Sequence, residues 1–399
     1  MRLWLLFIVF VASVQATTLQ QLIDSALANH PSLDVAKSRI AAADYAVQRA
    51  KNFDNPVLGL SVNDLRLDDF TNRSLEPMQT QAVTLSQKIP WFGKRETKKA
   101  IEEAKKSLLF ASMKEAEAEL VARIRQNGYR IWEIERLIAI TRDTIALTEQ
   151  NIELYEAYTA SSESGNTHMG IMSAELVKSR LKTSLSRFEA QKAQTLALLE
   201  YLSFQSIDHL QVDLPAEKLL PLQKLKEKIV QSPSLKSKMA GKDVVKEKLS
   251  LARTQTSIDP VLRVGYYQRA SYDDYISIGV GFAMPVYGTE KSKIEETRAN
   301  LLAQRSNVAD TKMRLTAKLE ELYARAKSER EILQIVKNES LPQIGHMFDL
   351  IRADIAAGGD LYKFVDLVEQ KLALEAQAIL ARANFHKTMA QIDALLGEY

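Results

Sequence analysis

The sequence predicts a mainly α-helical protein in which one unit occurs twice, each copy comprising a short helix, a two-stranded β-hairpin and a long helical hairpin. Three observations predict this fold. Landmarks recur in order at a spacing near 200 residues, short alternating stretches follow prolines, and very long helical segments follow those stretches. The four predicted strands indicate a membrane β-barrel contribution within an otherwise helical chain.

Composition excludes several classes of protein. The 399 residues are 46% hydrophobic and 26% charged, which is typical of a folded chain. The 53 Lys and Arg against 50 Asp and Glu leave a formal charge of +3, spread evenly, so no nucleic-acid-binding face is expected. The absence of cysteine removes disulfides, thiolate metal sites, thiol nucleophiles and a lipid-attachment cysteine.

The first sixteen residues are predicted to be a secretory signal peptide. Arg2 precedes an apolar run over residues 3–12, and Ser13-Val14-Gln15-Ala16 offers a small-residue cleavage site. The run is about half the ~20 residues that a membrane-spanning helix needs. We therefore expect cleavage after Ala16 and export of the chain.

Paired landmarks predict an internal duplication. They are His30-Pro31-Ser32-Leu33 with Ser232-Pro233-Ser234-Leu235, Asn55-Pro56-Val57-Leu58 with Asp259-Pro260-Val261-Leu262, Ile89-Pro90 with Met284-Pro285, and Gly165 with Gly359. Proline opens a short helix at the first pair, as is common at the first helical position. We place the first repeat at 17–205, a linker or equatorial segment at 206–231, and the second repeat at 232–399.

Alternating apolar residues predict two strands in each repeat, at about 57–65, 79–89, 261–269 and 274–284. Strands of this length cross a bilayer when tilted. The residues expected to face lipid are Leu58, Leu60, Val62, Ile276, Ile278, Val280 and Phe282. Since the smallest membrane barrels need about eight strands, several copies of the chain would have to share one barrel.

Helices of unusual length follow, at about 94–163 and 290–357, with returning helices at 169–204 and 361–396. Isoleucine recurs every seven residues in the first long helix, at Ile124, Ile131, Ile138, Ile145 and Ile152. We call this row of apolar residues the seam. The positions 195 residues later are Leu319, Ala326, Leu333, Ser340 and Met347, so the apolar character of the second seam is lost near Pro342. A seven-residue repeat predicts left-handed coiled packing of long antiparallel hairpins.

A closed wall of strands and helices would enclose a pore, which favours an exported channel. Two alternatives stay open: the hairpins could form a small soluble sheet on a coiled coil, or the chain could be a periplasmic coiled-coil adaptor or structural protein without a pore. Adaptors have one helical hairpin between β-rich domains, whereas this chain has two hairpins and only four strands. That difference favours the channel.

The sequence resembles the TolC-type outer membrane factors, the outer membrane efflux protein family, over essentially the whole chain after the signal peptide. The motifs that carry the resemblance are Asn55-Pro56-Val57-Leu58, Leu85-Ser86-Gln87-Lys88-Ile89-Pro90-Trp91-Phe92-Gly93-Lys94-Arg95, Ser340-Leu341-Pro342, Ala356-Ala357-Gly358-Gly359-Asp360 and Phe364-Val365-Asp366-Leu367-Val368-Glu369-Gln370. The resemblance implies a homotrimer in the outer membrane, with a twelve-stranded β-barrel and a large periplasmic α-barrel. It also implies a periplasmic adaptor and an inner membrane pump as partners.

The same resemblance implies site residues near the two helical turns. The adaptor-facing turns would be Gly165-Asn166-Thr167 and Gly358-Gly359-Asp360, and the aperture candidates are Asp360, Asp366 and Glu369. Three copies of a carboxylate around a narrow pore would attract cations. A solvated helix face is the alternative interpretation of these carboxylates.

No enzyme activity and no cofactor are predicted, because no Gly-rich phosphate loop, His-Glu-x-x-His motif or His-carboxylate cluster occurs. His168, Met169 and Met172 carry ligand types that suit copper or silver, although methionine at helical spacing more often packs. The resemblance is somewhat nearer to the heavy-metal efflux branch. Heavy-metal cations and small toxic compounds both stay open as exported substrates.

Overall fold

The computed structural model describes residues 17–159, 165–356 and 361–399. At residues 158–159, 165–167 and 352–356 it describes the backbone but not the side chains. The predicted signal peptide and the turn residues Gly358, Gly359 and Asp360 lie outside the described residues.

The chain divides into two compact units. The helical unit comprises Met1–Asp34, Glu115–Ser232 and Arg314–Tyr399, and the sheet unit comprises Val35–Lys114 and Pro233–Met313. Each unit therefore draws segments from both sequence repeats.

The elements follow the predicted order. The first half contains β1 (Thr17–Thr18), α1 (Leu19–Asn29), α2 (Pro31–Lys51), β2 (Val57–Val62), β3 (Thr80–Lys88), α3 (Lys94–Thr159) and α4 (Gly165–Ser203). The remainder contains β4 (Leu210–Gln211), α5 (Leu222–Glu227), a 3₁₀ turn (Lys228–Gln231), α6 (Pro233–Thr254), β5 (Pro260–Arg269), β6 (Tyr275–Phe282), α7 (Thr289–Ile335), a π-helical segment (Val336–Ser340), α8 (Leu341–Ala356) and α9 (Leu361–Leu396). The sequence of short helix, strand pair, long helix and returning helix occurs twice, which confirms the predicted mainly α, duplicated fold.

The sheet unit holds one four-stranded antiparallel sheet in the order β2-β3-β5-β6. The two predicted hairpins meet through β3 and β5, where Val83 lies opposite Tyr266 and Leu85 opposite Val264. The first strand, predicted over 57–65, ends at Val62. Asp64 has a φ of 51°, and this left-handed conformation turns the chain out of the strand direction.

In the helical unit, the isoleucine seam is buried along α3. Ile124 and Ile131 are completely buried, and Ile138, Ile145 and Ile152 are nearly so. Ile145 and Ile152 belong to an apolar cluster that α4, α8 and α9 complete. Burial of one face every seven residues is what long antiparallel helices require.

The second seam does not fade at Pro342 but shifts by one residue. Ser340 and Met347 continue the seven-residue count, yet Leu341 and Phe348 pack into the cluster, and Met347 is 49% exposed. The cause is the π-helical segment, in which the Leu341 N–H donates to the Val336 carbonyl five residues earlier. Proline lacks an N–H and its ring clashes with the carbonyl four residues back, so a wider turn accommodates it.

The sequence interpretation missed helix α1. Thr18 caps it: the Thr18 hydroxyl accepts from the Gln21 N–H at 3.3 Å, and the Thr18 N–H donates to Gln21 Oε1 at 2.8 Å. This reciprocal pair is a capping box, readable in the sequence as Thr-Leu-Gln-Gln. Within the described residues, no helix combines the length and the apolarity needed to cross a membrane.

Candidate functional site

One face of the four-stranded sheet is apolar and exposed to solvent. Alternation along each strand places every second side chain on this outer face. Its rows across the sheet are Leu60-Val83-Tyr266-Ile276, Leu58-Leu85-Val264-Ile278 and Leu262-Val280, with Val62 and Phe282 at the corners. Leu60 is 76% exposed and Ile278 is 73% exposed. A continuous apolar surface of this kind marks contact with lipid or a partner.

All seven residues predicted to face lipid lie on this outer face. The prediction named lipid-facing residues only on the two edge strands and missed those of the inner strands, which are Val83, Leu85, Leu262, Val264 and Tyr266. Their signal was present in the sequence, because Leu262, Val264 and Tyr266 alternate with Arg263, Gly265 and Tyr267.

The opposite, inner face carries small and polar residues. One row across the sheet reads Gly59-Thr84-Gly265-Ser277. A Cβ at Gly265 would lie 2.7 Å from the Tyr267 ring and 3.1 Å from the Thr84 methyl group, so these neighbours occupy the space above the glycine. Alternation of apolar and small or polar residues between two faces is the pattern of transmembrane strands that enclose a polar lumen.

Both edges of the sheet are open within the described part of the chain. Strand β2 pairs only with β3, and β6 pairs only with β5. Each edge therefore presents unpaired backbone N–H and C=O groups that another strand can bond.

Aromatic side chains lie at both ends of the sheet. At the end where the long helices begin, Trp91 and Phe92 meet edge to face with ring centroids 6.0 Å apart, and Tyr287 is 94% exposed. At the hairpin end, Tyr267 and Tyr275 stack with centroids 4.8 Å apart, on the inner face of the sheet. Aromatic side chains beside an apolar band are typical of membrane strands at a lipid–water interface, and only the helix-side group fits that position.

An ion pair between the buried Lys94 and the half-buried Asp259 joins the two repeats at the helix-side end of the sheet. Lys94 Nζ lies 2.7 Å from Asp259 Oδ1 and 2.5 Å from the Ser257 carbonyl oxygen, and the Trp91 N–H donates to Asp259 at 3.2 Å. Burial raises the pKa of Asp259, but the Lys94 hydrogen bond and neighbouring charges outweigh it and hold the pKa below the ordinary value. Asp259 is therefore ionised at neutral pH and fixes the turn before α3.

The loop between β2 and β3 is closed by side chains that bond its backbone. The Gln79 amide donates to the Asn72 carbonyl at 3.1 Å and accepts from the Leu75 N–H at 3.1 Å. Arg73 Nη2 donates to the Thr80 carbonyl at 3.1 Å. These bonds give the loop a defined shape at the hairpin end of the sheet.

The residues predicted at the helical turns are only partly described. Gly165, Asn166 and Thr167 form the first residues of α4, whereas Gly358, Gly359 and Asp360 lie outside the described residues. Asp366 and Glu369 are exposed on α9, and Glu369 lies 4.0 Å from Arg180. The Asp366 carboxylate accepts a hydrogen bond from the Gln370 amide at 2.7 Å, and both side chains lie at the surface.

The residues with soft metal-ligand atoms lie at the surface, since His168, Met169 and Met172 are all exposed on α4. No cluster of three or more His, Cys, Asp or Glu side chains suited to a metal ion occurs among the described residues.

Comparison with known proteins agrees with this architecture. A family model described as "Outer membrane efflux protein" matches residues 22–170. No curated protein sequence matches the chain.

Solved structures that share its fold include three outer membrane proteins. The outer membrane protein VceC of Vibrio cholerae has a TM-score of 0.79 and 13% identity, covering 95% of this chain and 96% of that one. The MtrE outer membrane channel of Neisseria gonorrhoeae has a TM-score of 0.77 and 17% identity, covering 95% and 88%. The CmeC outer membrane channel of Campylobacter jejuni has a TM-score of 0.76 and 12% identity, covering 95% and 85%. The family match and the shared fold confirm the resemblance to the outer membrane efflux proteins.

Proposed function

We propose that this protein is an outer membrane efflux channel, a passive conduit that performs no chemistry. Three copies would contribute four strands each to one twelve-stranded barrel, and their helices would form a periplasmic α-barrel. The observation that carries the proposal is the outer face of the sheet, a continuous apolar surface opposed by a small and polar inner face. The open edges at β2 and β6 support barrel sharing, because unpaired backbone groups in lipid cost several kcal/mol each.

The finer part of the proposal is a tripartite assembly. The turns at Gly165-Asn166-Thr167 and Gly358-Gly359-Asp360 would bind a periplasmic adaptor coupled to an inner membrane pump. Asp360, Asp366 and Glu369 would line the aperture, and the cargo would be heavy-metal cations or small toxic compounds. The family match and the exposure of Asp366 and Glu369 support this arrangement.

Single-channel recording tests the channel. The purified, detergent-extracted protein would be added to planar bilayers and its mass measured in the same preparation. We expect a trimer with cation-preferring openings. A water-soluble monomer that inserts into no bilayer would contradict the proposal and favour the pore-free coiled-coil alternative.

A matched pair of arginine substitutions tests which face meets lipid. Ile278→Arg places a charge on the outer face at a cost of about 2–4 kcal/mol at the membrane midplane, so assembly in the outer membrane should fall sharply. Ser277→Arg, one residue earlier on the inner face, should assemble normally. Membrane fractionation of both variants gives the answer, and equal insertion would mean that the outer face does not meet lipid.

The adaptor contact is tested at Gly359. Replacement by valine should impair binding of the adaptor and leave the trimer intact, since a β-branched residue is disfavoured in the left-handed turn expected there. Gly345→Val on α8 is the control, because a Cβ at Gly345 meets nothing within 4 Å. Co-purification of adaptor with Gly359→Val at the level of the unsubstituted protein would contradict the docking assignment.

A further inference from the structure

A cleft in the helical unit carries a set of side chains that the channel role does not use. It has a volume of about 610 Å³, within the range of small-molecule sites. Helices α3, α7, α8 and α9, the π-helical segment and the 206–231 segment all contribute to it. Its lining is Trp132, Arg136, Glu217, Arg330, Leu333, Gln334, Lys337, Asn338, Leu341, Ala378, Ile379 and Arg382.

The cleft holds four cationic groups and one carboxylate. Glu217 is already matched by Arg382, whose Nε lies 2.6 Å from Glu217 Oε1. Within the described part of the chain, Arg136, Arg330 and Lys337 have no carboxylate within ion-pair distance, and the buried Nε of Arg330 has no hydrogen-bond partner. A buried guanidinium N–H without an acceptor costs free energy, which an anionic ligand would recover.

The cleft also carries apolar groups. The Trp132 ring lies beside two of the cations, with the Arg382 guanidinium 5.5 Å and the Arg136 guanidinium 5.8 Å from its centroid. Leu341 and Ile379 extend the apolar surface. Aromatic and aliphatic walls with a few convergent charged groups are typical of sites for organic ligands rather than for inorganic ions.

The π-helical segment forms one wall of the cleft. Lys337 and Asn338 lie within it, and Leu341 follows it directly. π-Helical turns are rare, because they interrupt the regular α-helical hydrogen bonding. Those that do occur are frequently found at functional sites. Here the segment also brings the Lys337 side chain to the same cleft as Arg330, two helical turns earlier.

We propose that this cleft binds an amphiphilic organic anion, with its acidic group held by Arg330 and Lys337 and its apolar body against Trp132, Leu341 and Ile379. The ligand class follows from the pairing of unmatched cations with an apolar wall. The inference goes beyond the channel function and does not depend on it, because binding can be measured whether or not the protein conducts.

Equilibrium dialysis with two isosteric probes tests the proposal. The purified full-length protein in detergent would be dialysed against 1-naphthoate, which is anionic, and against 1-naphthamide, which is neutral. We expect saturable binding of one naphthoate per chain and at least tenfold weaker binding of the amide. Because both probes partition into detergent, the difference between them isolates the charge contribution.

Substitutions locate the site. Arg330→Gln combined with Lys337→Gln should weaken naphthoate binding at least tenfold, and the surface variant Lys337→Glu alone should weaken it severalfold. Lys327→Gln is the matched control, because this exposed lysine lies on α7 outside the cleft and pairs with Glu331 at 3.7 Å.

Two results would overturn the proposal. One is equal binding of naphthoate and naphthamide. The other is that the unsubstituted protein and Lys337→Glu bind naphthoate equally, or that neither binds it. A cleft filled by a carboxylate of a second copy would give the latter result. Conductance of the same preparations is a separate measurement, so failure here leaves the channel proposal unaffected.

Discussion

Gly265 shows how closely side chains pack on the inner face of the sheet. The space above its Cα is taken by the Tyr267 ring on one side and the Thr84 methyl group on the other. The Tyr267 ring is held in turn by parallel stacking on Tyr275. A side chain at this position therefore has to displace a ring that is already packed.

The first prediction concerns this glycine. Gly265→Val should destabilise the assembled protein by about 1–3 kcal/mol through overpacking. Gly279→Val, on the same face in β6, should have little effect, since a Cβ there meets nothing within 4 Å. Thermal unfolding of the two purified variants compares them. Equal stability would show that Tyr267 moves aside freely.

His386 is a buried imidazole whose Nε2 has no hydrogen-bond partner among the residues that the structure describes. It is 3% exposed, packs against Tyr129 and Phe385, and has Glu217 at 4.0 Å. Burial reduces the pKa of His386 from 6.5 to about 4. Glu217 opposes this shift to a smaller extent, and Arg382 adds to it. The folded state thus prefers the neutral ring, so His386 contributes stability above pH 6.5 that is lost as the pH falls towards 4.

Asp393 titrates in the opposite sense. Burial raises its pKa from 3.8 to about 6, although Arg125 at 3.3 Å and Lys228 lower it and Glu398 raises it further. The folded state prefers the protonated acid, so Asp393 contributes stability below pH 3.8 that is lost as the pH rises towards 6. Its side chain is a third exposed, so solvent screening makes this contribution smaller than that of His386.

The second prediction separates these two groups. On acidification from pH 7 to 4.5, Asp393→Asn should lose more stability than the unsubstituted protein, because only the His386 effect remains, with an upper limit of about 3 kcal/mol. His386→Gln should gain stability over the same range, because only Asp393 then titrates and its protonation favours the folded state. Melting temperatures at the two pH values provide the comparison. Parallel changes in all three proteins would contradict the assignment.

Among the elements, the second long helix is the one whose local geometry decides its packing. The π-helical segment inserts one residue into the seven-residue count, which turns the following helix so that Phe348 rather than Met347 enters the core. Phe348 packs against Phe364 with ring centroids 5.4 Å apart.

The third prediction tests this shift with neighbouring residues. Phe348→Ala should cost about 3–5 kcal/mol of unfolding free energy, because it leaves a cavity in the apolar cluster. Met347→Ala should stay within about 0.5 kcal/mol, because its side chain is half exposed. Chemical denaturation measures both. The reverse order would mean that the uninterrupted seven-residue repeat sets the packing.

At the scale of the whole molecule, the proposed trimer would contain three copies of each aperture carboxylate. Asp366 is exposed on α9, and in the trimer its three copies would surround the pore. The membrane part and the aperture would then have separate roles, the first in insertion and the second in selectivity.

The fourth prediction is that Asp366→Asn lowers the preference for cations over anions without loss of the trimer. Glu331→Gln is the control, since this exposed carboxylate on α7 pairs with Lys327 and is not assigned to the aperture. Reversal potentials under a salt gradient measure the preference. An unchanged potential in Asp366→Asn would remove this residue from the aperture and leave Glu369 and Asp360 as candidates.

Much of the fold was predictable because its signals are local. Alternation placed Leu58 and Ile278 on strands, proline marked the strand and helix starts, and the isoleucine repeat identified the buried face of α3. The Thr18 capping box was equally local and was overlooked. The outer face followed from the same alternation, although lipid-facing residues were predicted only on the two edge strands.

The sequence alone determined the duplicated order of elements, the buried seam and the two faces of each hairpin, because these properties depend on residues a few positions apart. The tertiary structure decided the rest. It joined the hairpins through β3 and β5, moved the second seam from Met347 to Phe348, and brought Trp132, Arg330 and Arg382 to one cleft. Such outcomes depend on which distant segments pack together, and no periodicity within one helix or strand encodes that choice.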